Sequence, residues 1–534
     1  MTSGLVTDVT IAIDLKPPAD LLPRQPQPHA LPPLLERSDL WTDFMVADAR
    51  IPMYDVPFVS IGGGMGSFMT VDYLRAAGGM PARDIRVLSN LTHPWQTYEK
   101  LATASQISRA RRIRSDAASR PDNLWGFPSF ALQEALKDRT IKPLIQVLLE
   151  PVFADFYTPR LGDVLDGMER EANRIGYWDM LVRGDVQIVR RRVGGGYFAL
   201  MTTHPDGPFA GGKPTAGLVA FRCRDAHIAV GYSGLRYLPD LQRFREQLND
   251  FHHVVNAYED HEHVYEALRL RQGTVLVRGA GIVASQVLER LISDRTNGGA
   301  PTQIVHLFRT YVAGRHGPHA WARRRGRGGF AYQGFNYPKS VWGGLHRERM
   351  RQLEGADRVR LYDEIGGTTT AWRRHWQRQI ESGRRDGWYR TMGGTIEDLT
   401  LDDGALLARI DVPEGEMHVR ADFVIDCTGL DGDVGEHRVL RDLLEHGGAG
   451  LNPIGRLDVD PSFRLRGSTS GGGEIYVTGA ASYGGYFPGV DTFLGLQIAA
   501  QEIMDDLVQR DRCRPLTPLR SIAEWLRWVA GRRI

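Results

Sequence analysis

The stretch PFVSIGGGMGSFM, Pro57 to Met69, constrains this chain more than any other, because it sets four glycines among five positions between an apolar run and residues at helical spacing. The run ending at Gly62 reads as a strand, and Phe68, Met69, Val71 and Leu74 mark one face of a helix. Glycine lets a backbone turn sharply and come close to a pyrophosphate, and the unpaired N–H groups at a helix start favour the anion. Gly62, Gly64, Gly66 and Ser67 are the contacts this predicts, with Ser67 at the third position of a G-x-G-x-x-G spacing. An ordinary glycine turn is the competing reading.

About two hundred residues later the pattern recurs. In GTVLVRGAGIVASQVLERLI, Gly273 to Ile292, an apolar strand delivers Gly279, Ala280 and Gly281 to an amphipathic helix in the form G-x-G-x-x-A, with Ala284 third and Ser285 beside it. The following strand, TQIVHLFRT, ends in Arg309-Thr310 and not in an acid. A guanidinium there suits a ribose 2′-phosphate, which selects NADPH over NADH; an exposed arginine at a strand end is the bland alternative. Arg323, Arg324 and Arg325 either reinforce that phosphate pocket or form a solvated face.

Two such units in one chain imply two bound nucleotides. The length of 534 residues gives room for two or three domains, and 66 basic against 64 acidic residues leave a net charge of +2, too balanced to predict nucleic-acid binding. Cys223, Cys427 and Cys513 lie far apart without C-x-x-C or metal-ligand spacing, which fits a cytoplasmic protein and excludes a dithiol redox centre. No metal site is expected: His261 and His263 in HEH stand two apart and do not face one way on a helix. Neither a secretory leader nor an apolar run long enough to span a bilayer is evident.

Several landmarks fall in one order: GGGMGS; AVGY, Ala229 to Tyr232; HHVVNAYED; GAGIVAS; DCTG, Asp426 to Gly429; and a final IYVTGAA followed by GVDTFLGLQIAAQ. Over roughly residues 55 to 508 the chain resembles the flavoproteins with two dinucleotide-binding domains, in particular the class B flavin-dependent monooxygenases that include N-hydroxylating and Baeyer-Villiger enzymes. The resemblance implies an α/β fold of two Rossmann-like, three-layer domains, an FAD domain split by an inserted NAD(P)H domain. Residues 51–250 and 423–510 form the first and 251–422 the second, with a basic and aromatic insert. It implies FAD contacts at Ser89, Thr428, Gly429, Gly479 and Asp491 besides the first turn. It further implies that NADPH reduces FAD and that a C4a-(hydro)peroxyflavin oxygenates a small organic substrate with molecular oxygen. The chain departs from the pattern at Ser67, at Ser89-Asn90 where a ribose-binding acid usually stands, and at Ala480. A reductase, dehydrogenase or desaturase on the same two domains is the alternative function, and a non-catalytic nucleotide-binding protein the second.

The segments RIRSD and NLWGFPS lie where this family lines its flavin and substrate cavity, which makes Arg114, Ser115 and Trp125, with Phe127, the candidates for contact with the reacting groups; a packed loop is the alternative. Gln106 and His93 are weaker candidates. Residues 1–50, proline-rich through KPPADLLPRQPQPHALPPLL, are expected as an extended arm. The C-terminal segment 511–534 sets Leu519, Ile522, Leu526 and Val529 along one helix face, flanked by Trp525, Trp528 and arginines. Packing on the chain's own first domain, contact with a second copy in a homo-oligomer, and peripheral contact with a membrane or lipid are its three readings.

Overall fold

A computed structural model of the chain describes residues 31–153, 157–204, 217–308, 315–316, 324–325, 345–365, 374–487 and 489–534. Its first sheet is built from β1 (Leu40–Trp41), β2 (Met53–Asp55), β3 (Phe58–Ile61), β4 (Ile85–Ser89), β5 (Leu181–Arg192), β6 (Tyr197–Thr203), β7 (Gly217–Cys223) and β8 (Asp225–Ile228), closed by a strand from far along the chain, Ile475–Val477. The spatial order is β2-β7-β6-β5-β4-β3-β8 and then Ile475–Val477, with β1 on the flank of β5. All four residues of β3 are buried, and it runs parallel to β4 on one side (Phe58 opposite Ile85) and to β8 on the other (Phe58 opposite Asp225). A continuous apolar run suits such a doubly covered parallel strand. The stretch VQIVRRRVGGGYFALMTT reads as two strands around a glycine turn; the start of β5 is parallel to β4, and the rest of β5 turns at Gly194–Gly196 into an antiparallel pair with β6, as that reading expects.

The second sheet contains β9 (Val254–Asn256), β10 (Thr274–Arg278), β11 (Gln303–Phe308) and β12 (Tyr389–Gly393). An antiparallel meander, β13 (Thr395–Asp402), β14 (Ala405–Val412) and β15 (Gly415–Ala421), then leads to β16 (Phe423–Asp426), which inserts between β9 and β10. Alternation along the strands fills two apolar layers. Val275 and Val277 pack with Tyr265 of α4 (Glu262–Leu270) and with helix residues such as Val287 and Leu291, whereas Leu276 and Val424 pack with Ile396, Leu406 and Ile410 of the meander. The second domain is therefore three-layered, with helices on one face and an antiparallel sheet on the other.

Two expected boundaries move. Phe423–Asp426 was expected to open the return to the first domain, yet it hydrogen-bonds on both sides within the second sheet, so the return begins at Cys427. The crossing is a paired one, Leu430 and Asp431 lying antiparallel to Leu235 and Gly234 of the outgoing strand. Residues 31–50 are not an extended arm. They form α1 (Pro33–Arg37), β1 and α2 (Asp43–Asp48), and Trp41 is wholly buried against Ile188, Phe198 and Leu200, its indole N–H donating to Leu35 O at 3.0 Å. A large apolar ring overrides the surrounding prolines because its burial removes so much surface from water.

Candidate functional site

The four glycines of the first turn are there for different reasons. At Gly62, φ is +117°, and a Cβ would lie 2.2 Å from Ala229 O; at Gly63, φ is +66°, and a Cβ would lie 2.2 Å from Ser89 Oγ. Neither place has room for a side chain. Gly66 sits on α3 (Met65–Asp72), where a Cβ would press on Leu496 at 3.1 Å and Thr478 Oγ1 at 3.2 Å, so it sets the approach of the helix to its neighbours. Gly64 alone faces open space: it caps α3 with no side-chain hydrogen bond, and a Cβ there would meet only Leu91 Cδ1 at 3.9 Å. The first N–H groups of α3 thus have no intrahelical acceptor and no capping side chain, which is what an anion site requires.

These residues line a cleft of about 540 Å³ at the carboxyl ends of β3, β4 and β8. Of the residues singled out from sequence, Gly62, Gly64, Gly66, Ser89, Gly479, Asp491, Arg114 and Ser115 line it together, although they span more than 400 positions of the chain. Ser89 donates from Oγ to Gly62 O at 2.9 Å and accepts from Leu91 N at 3.0 Å. Burial pushes the Arg114 guanidinium down to about 10 against the opposing pull of the Asp491 carboxylate. Asp491 is exposed to the cleft and accepts a 2.5 Å hydrogen bond from Tyr232 Oη. The helix α7 (Phe493–Gln509) begins just past it, capped by Thr492 Oγ1, which accepts from Gly495 N at 3.0 Å.

Ser67 and Trp125 lie elsewhere. The Ser67 hydroxyl is buried 2.5 Å from Ser60 Oγ, which lies 2.9 Å from His227 Nδ1; His227 Nε2 in turn lies 2.9 Å from Thr478 Oγ1. At the third-glycine position a hydroxyl is tolerated because it joins a polar relay tying α3 to β3, β8 and the Ile475–Val477 strand. Burial pushes His227 down to about 3, so its ring is neutral. Trp125 does not line the cleft; its indole N–H donates to Ser521 Oγ at 2.9 Å, because its loop is pinned by the C-terminal helix.

The second turn repeats the logic of the first. At Gly279, φ is +119°, and a Cβ would lie 2.8 Å from Cys427 O. Gly281 caps α5 (Ile282–Thr296) without a side-chain bond, and Ala284 and Ser285 are buried beneath it, Ser285 Oγ donating to Ile282 O at 2.6 Å. Just as Ser89 pins Gly62, His306 of β11 pins Gly279: its Nε2 lies 2.5 Å from Gly279 O and its Nδ1 2.8 Å from Tyr389 Oη. Burial pushes His306 down to about 4, and a neutral ring donates from Nε2 while accepting from the tyrosine. Arg309 and Arg323 lie outside the described residues, as do the side chains of Arg324 and Arg325. Thr428 and Gly429 belong to the domain crossing, where Thr428 N donates to Asp426 Oδ1 at 3.0 Å and Gly429 takes φ of +115°.

Ile282 and Val283, at the start of α5, reach into the same cleft as Gly62 and Gly64. Among the lining residues that sequence reasoning missed are His437 and Arg438, which open the helix α6 (Arg438–Glu445) packed on β5. His437 Nδ1 is buried without a hydrogen-bond partner, and burial pushes the ring down to about 4. No local pattern marks these two; only the fold carries them to the β5 side of the cleft. Among the described residues, no cluster of three His, Cys, Asp or Glu side chains could hold a metal ion.

Sequence comparison matches no protein-family model and no curated protein. The fold matches solved structures over 84–86% of the chain. The ornithine N-hydroxylase KtzI of Kutzneria sp. 744, in complex with reduced FAD, NADP+ and L-ornithine, is similar with a TM-score of 0.59 at 13% identity, covering 86% of this chain and 100% of that one. The ornithine hydroxylase PvdA of Pseudomonas aeruginosa gives 0.58 at 14% identity, over 85% and 99%. DfoA, the cadaverine monooxygenase of Erwinia amylovora, bound to FAD, gives 0.59 at 13%, over 84% and 94%. At such identities the likeness establishes the fold, two Rossmann-type α/β domains with the second inserted into the first.

Proposed function

We propose that this chain is an FAD-dependent, NADPH-using monooxygenase that oxygenates a small amine. The observation that carries the reading is the common cleft: the first turn contributes Gly62, Gly64 and Gly66, and the helix opened by the second turn contributes Ile282 and Val283 to the same space. A flavin held by one turn and a nicotinamide held by the other would meet there. The site fits FAD because Gly64 leaves the helix start bare, with no capping side chain and open space where a Cβ would stand. The amine substrate is taken from the proteins of the same fold, which act on ornithine and cadaverine.

The N–H groups of α3 would hold the pyrophosphate. Topology orients the rest, since β4 and β5 lie on one side of β3, with β8 and Ile475–Val477 on the other. Asp185, His437 and Arg438 stand on the β5 side and would receive the adenosine half, in place of the acid that Ser89, bonded to the Gly62 carbonyl, does not supply. Gly479, Asp491 and Arg114 stand towards β8 and α7 and would surround the flavin ring. FAD and NADPH supply the redox and oxygen chemistry when bound. The chain's own residues orient and enclose: Tyr98, Leu101, Ile107 and Ile113 wall the cleft with apolar surface that excludes water, and Arg114 keeps a positive charge inside it at neutral pH. Cys223, Cys427 and Cys513 are unpaired thiols, which supports a cytoplasmic setting.

The test is anaerobic reduction of the flavin-loaded protein by NADPH and by NADH, followed by oxygen and an amine such as ornithine, lysine or cadaverine. Hydroxylated amine formed in step with NADPH consumption supports the proposal. Reduction without any oxygenated product would make the chain a reductase or dehydrogenase, and failure to take up flavin would leave no enzyme of either kind.

A further inference from the structure

The C-terminal helix α8 (Pro518–Val529) is attached to the first domain by its aromatic side and leaves its aliphatic side bare. Trp525 Nε1 donates to Phe127 O at 2.8 Å, Trp528 Nε1 to Asp122 O at 2.8 Å, and the Arg120 guanidinium lies over the Trp528 ring. Arg520 adds a 2.8 Å bond to Ala77 O, and Thr517 caps the helix start. On the other face Leu519 is 82% exposed, Ile522 58%, Leu526 55% and Val529 55%. Phe127, 56% exposed and stacked on Trp525, extends this surface beyond the helix. The ridge that the sequence suggests for packing therefore points away from the protein, and the tryptophans do the packing instead.

Charge decides what the ridge fits. From Arg512 to Ile534 the chain holds six arginines and one acid, Glu524, although basic and acidic residues nearly balance over the whole sequence. Glu524 is buried on the inward side and paired with Arg527 at 2.7 Å, while Arg514, Arg527, Arg532 and Arg533 are exposed, Arg533 donating to Asn173 O at 3.1 Å. An apolar strip with a cationic margin is what an interfacial helix presents to a bilayer, with aliphatic side chains among the acyl chains and guanidinium groups at the phosphates. A second copy is disfavoured by the same charges. An isologous two-fold contact would set this patch against itself and bring its arginines together without an exposed acid on the helix to pair them. We propose that the exposed face of α8 docks this protein on an anionic lipid surface.

Flotation of the full chain with vesicles tests this, using phosphatidylcholine alone and phosphatidylcholine mixed in equal parts with phosphatidylglycerol. Binding to the mixed vesicles is expected to exceed that to the neutral ones by about tenfold or more, and to fall as salt is raised. Leu526→Glu and Ile522→Glu, both at exposed positions, are expected to abolish binding with the melting temperature unchanged, and Arg532→Glu with Arg533→Glu to remove the preference for anionic lipid. The proposal is overturned if the wild-type chain does not float with anionic vesicles, or if Leu526→Glu floats as well as wild type. It is equally overturned if sedimentation shows a dimer that Leu526→Glu dissociates while lipid binding is absent.

Discussion

The Ser89 hydroxyl donates to the carbonyl oxygen of Gly62 at 2.9 Å and accepts the Leu91 N–H at 3.0 Å, so the end of β4 fastens the first glycine turn. The group that usually meets a ribose is here committed to the backbone. Restoring an acid should therefore harm the site: an ionised Asp accepts hydrogen bonds but cannot donate to Gly62 O. Ser89→Ala is expected to cost about 1–2 kcal/mol of stability, and Ser89→Asp more. Both should weaken flavin binding, measured by fluorescence titration of apoprotein beside thermal melts. Ser89→Asp binding FAD as tightly as wild type would sink this account of the adenosine end.

Gly62 and Gly64 separate folding from binding. An alanine at 62 would place its methyl 2.2 Å from Ala229 O at φ of +117°, and nothing nearby is a flexible side-chain end. We expect Gly62→Ala to cost about 3 kcal/mol or more, through strain and collision together. At Gly64 the methyl meets only Leu91 Cδ1 at 3.9 Å, so Gly64→Ala should melt within a few degrees of wild type. It should nonetheless bind flavin about tenfold more weakly, because the methyl occupies space a pyrophosphate needs. Equal flavin affinity in Gly64→Ala and wild type would show that the phosphate does not lie against this turn.

Both turns were legible because close backbone approach leaves glycine as the choice at Gly62 and Gly279, and that demand is written in local sequence. The long hairpin around Gly194–Gly196 was legible for the same reason. Phe423–Asp426 was misplaced because a short apolar strand carries no mark of which sheet receives it; the meander before it, not its own residues, returns it to the second sheet. Trp125 was misread since an aromatic in a loop looks alike whether it faces a cavity or a helix from the far end of the chain. His437 and Arg438 had no signal, lying some 350 positions beyond Ser89 in a segment whose placement depends on α6 packing against β5. The pinning role of His306 was hidden inside an apolar strand, where only the distance to Gly279 O reveals it.

His227 and His306, two of the buried histidines, lower stability as the pH falls. Burial holds His227 at about 3 and His306 at about 4, both below the ordinary value of 6.5, so each is neutral when folded and takes up a proton on unfolding. Their contribution is complete above pH 6.5 and is lost as the pH falls towards the folded values. Each should lower stability by about 1.4 kcal/mol per pH unit within that window; His437, held at about 4, acts with them and Asp426, raised by burial to about 6, acts against them, so the melting temperature should drop between pH 6.5 and 4.5. His227→Gln, which keeps hydrogen-bonding capacity without the titration, should flatten the slope. An unchanged slope in that variant would assign acid sensitivity to other groups.

Arg114 offers the sharpest test of the flavin end. It lies in the cleft with its pKa pushed down to about 10 by burial, so it is charged at neutral pH and begins to lose its proton in a range where an ordinary arginine does not. If that charge steadies the electron-rich ring system of a reduced flavin, flavin reduction by NADPH should slow as the pH rises through about 10. Arg114→Met should lower kcat/KM for NADPH by about a hundredfold at pH 7.5, the scale of losing one preorganised electrostatic contact. Arg114→Lys should recover much of that loss, yet its alkaline limb should move to lower pH, because an ammonium starts from a lower value and suffers the same burial. Rapid-mixing measurements of flavin reduction across pH 7 to 10.5 read all three. Identical alkaline limbs in wild type, the lysine variant and the methionine variant would show that Arg114 only supports its loop.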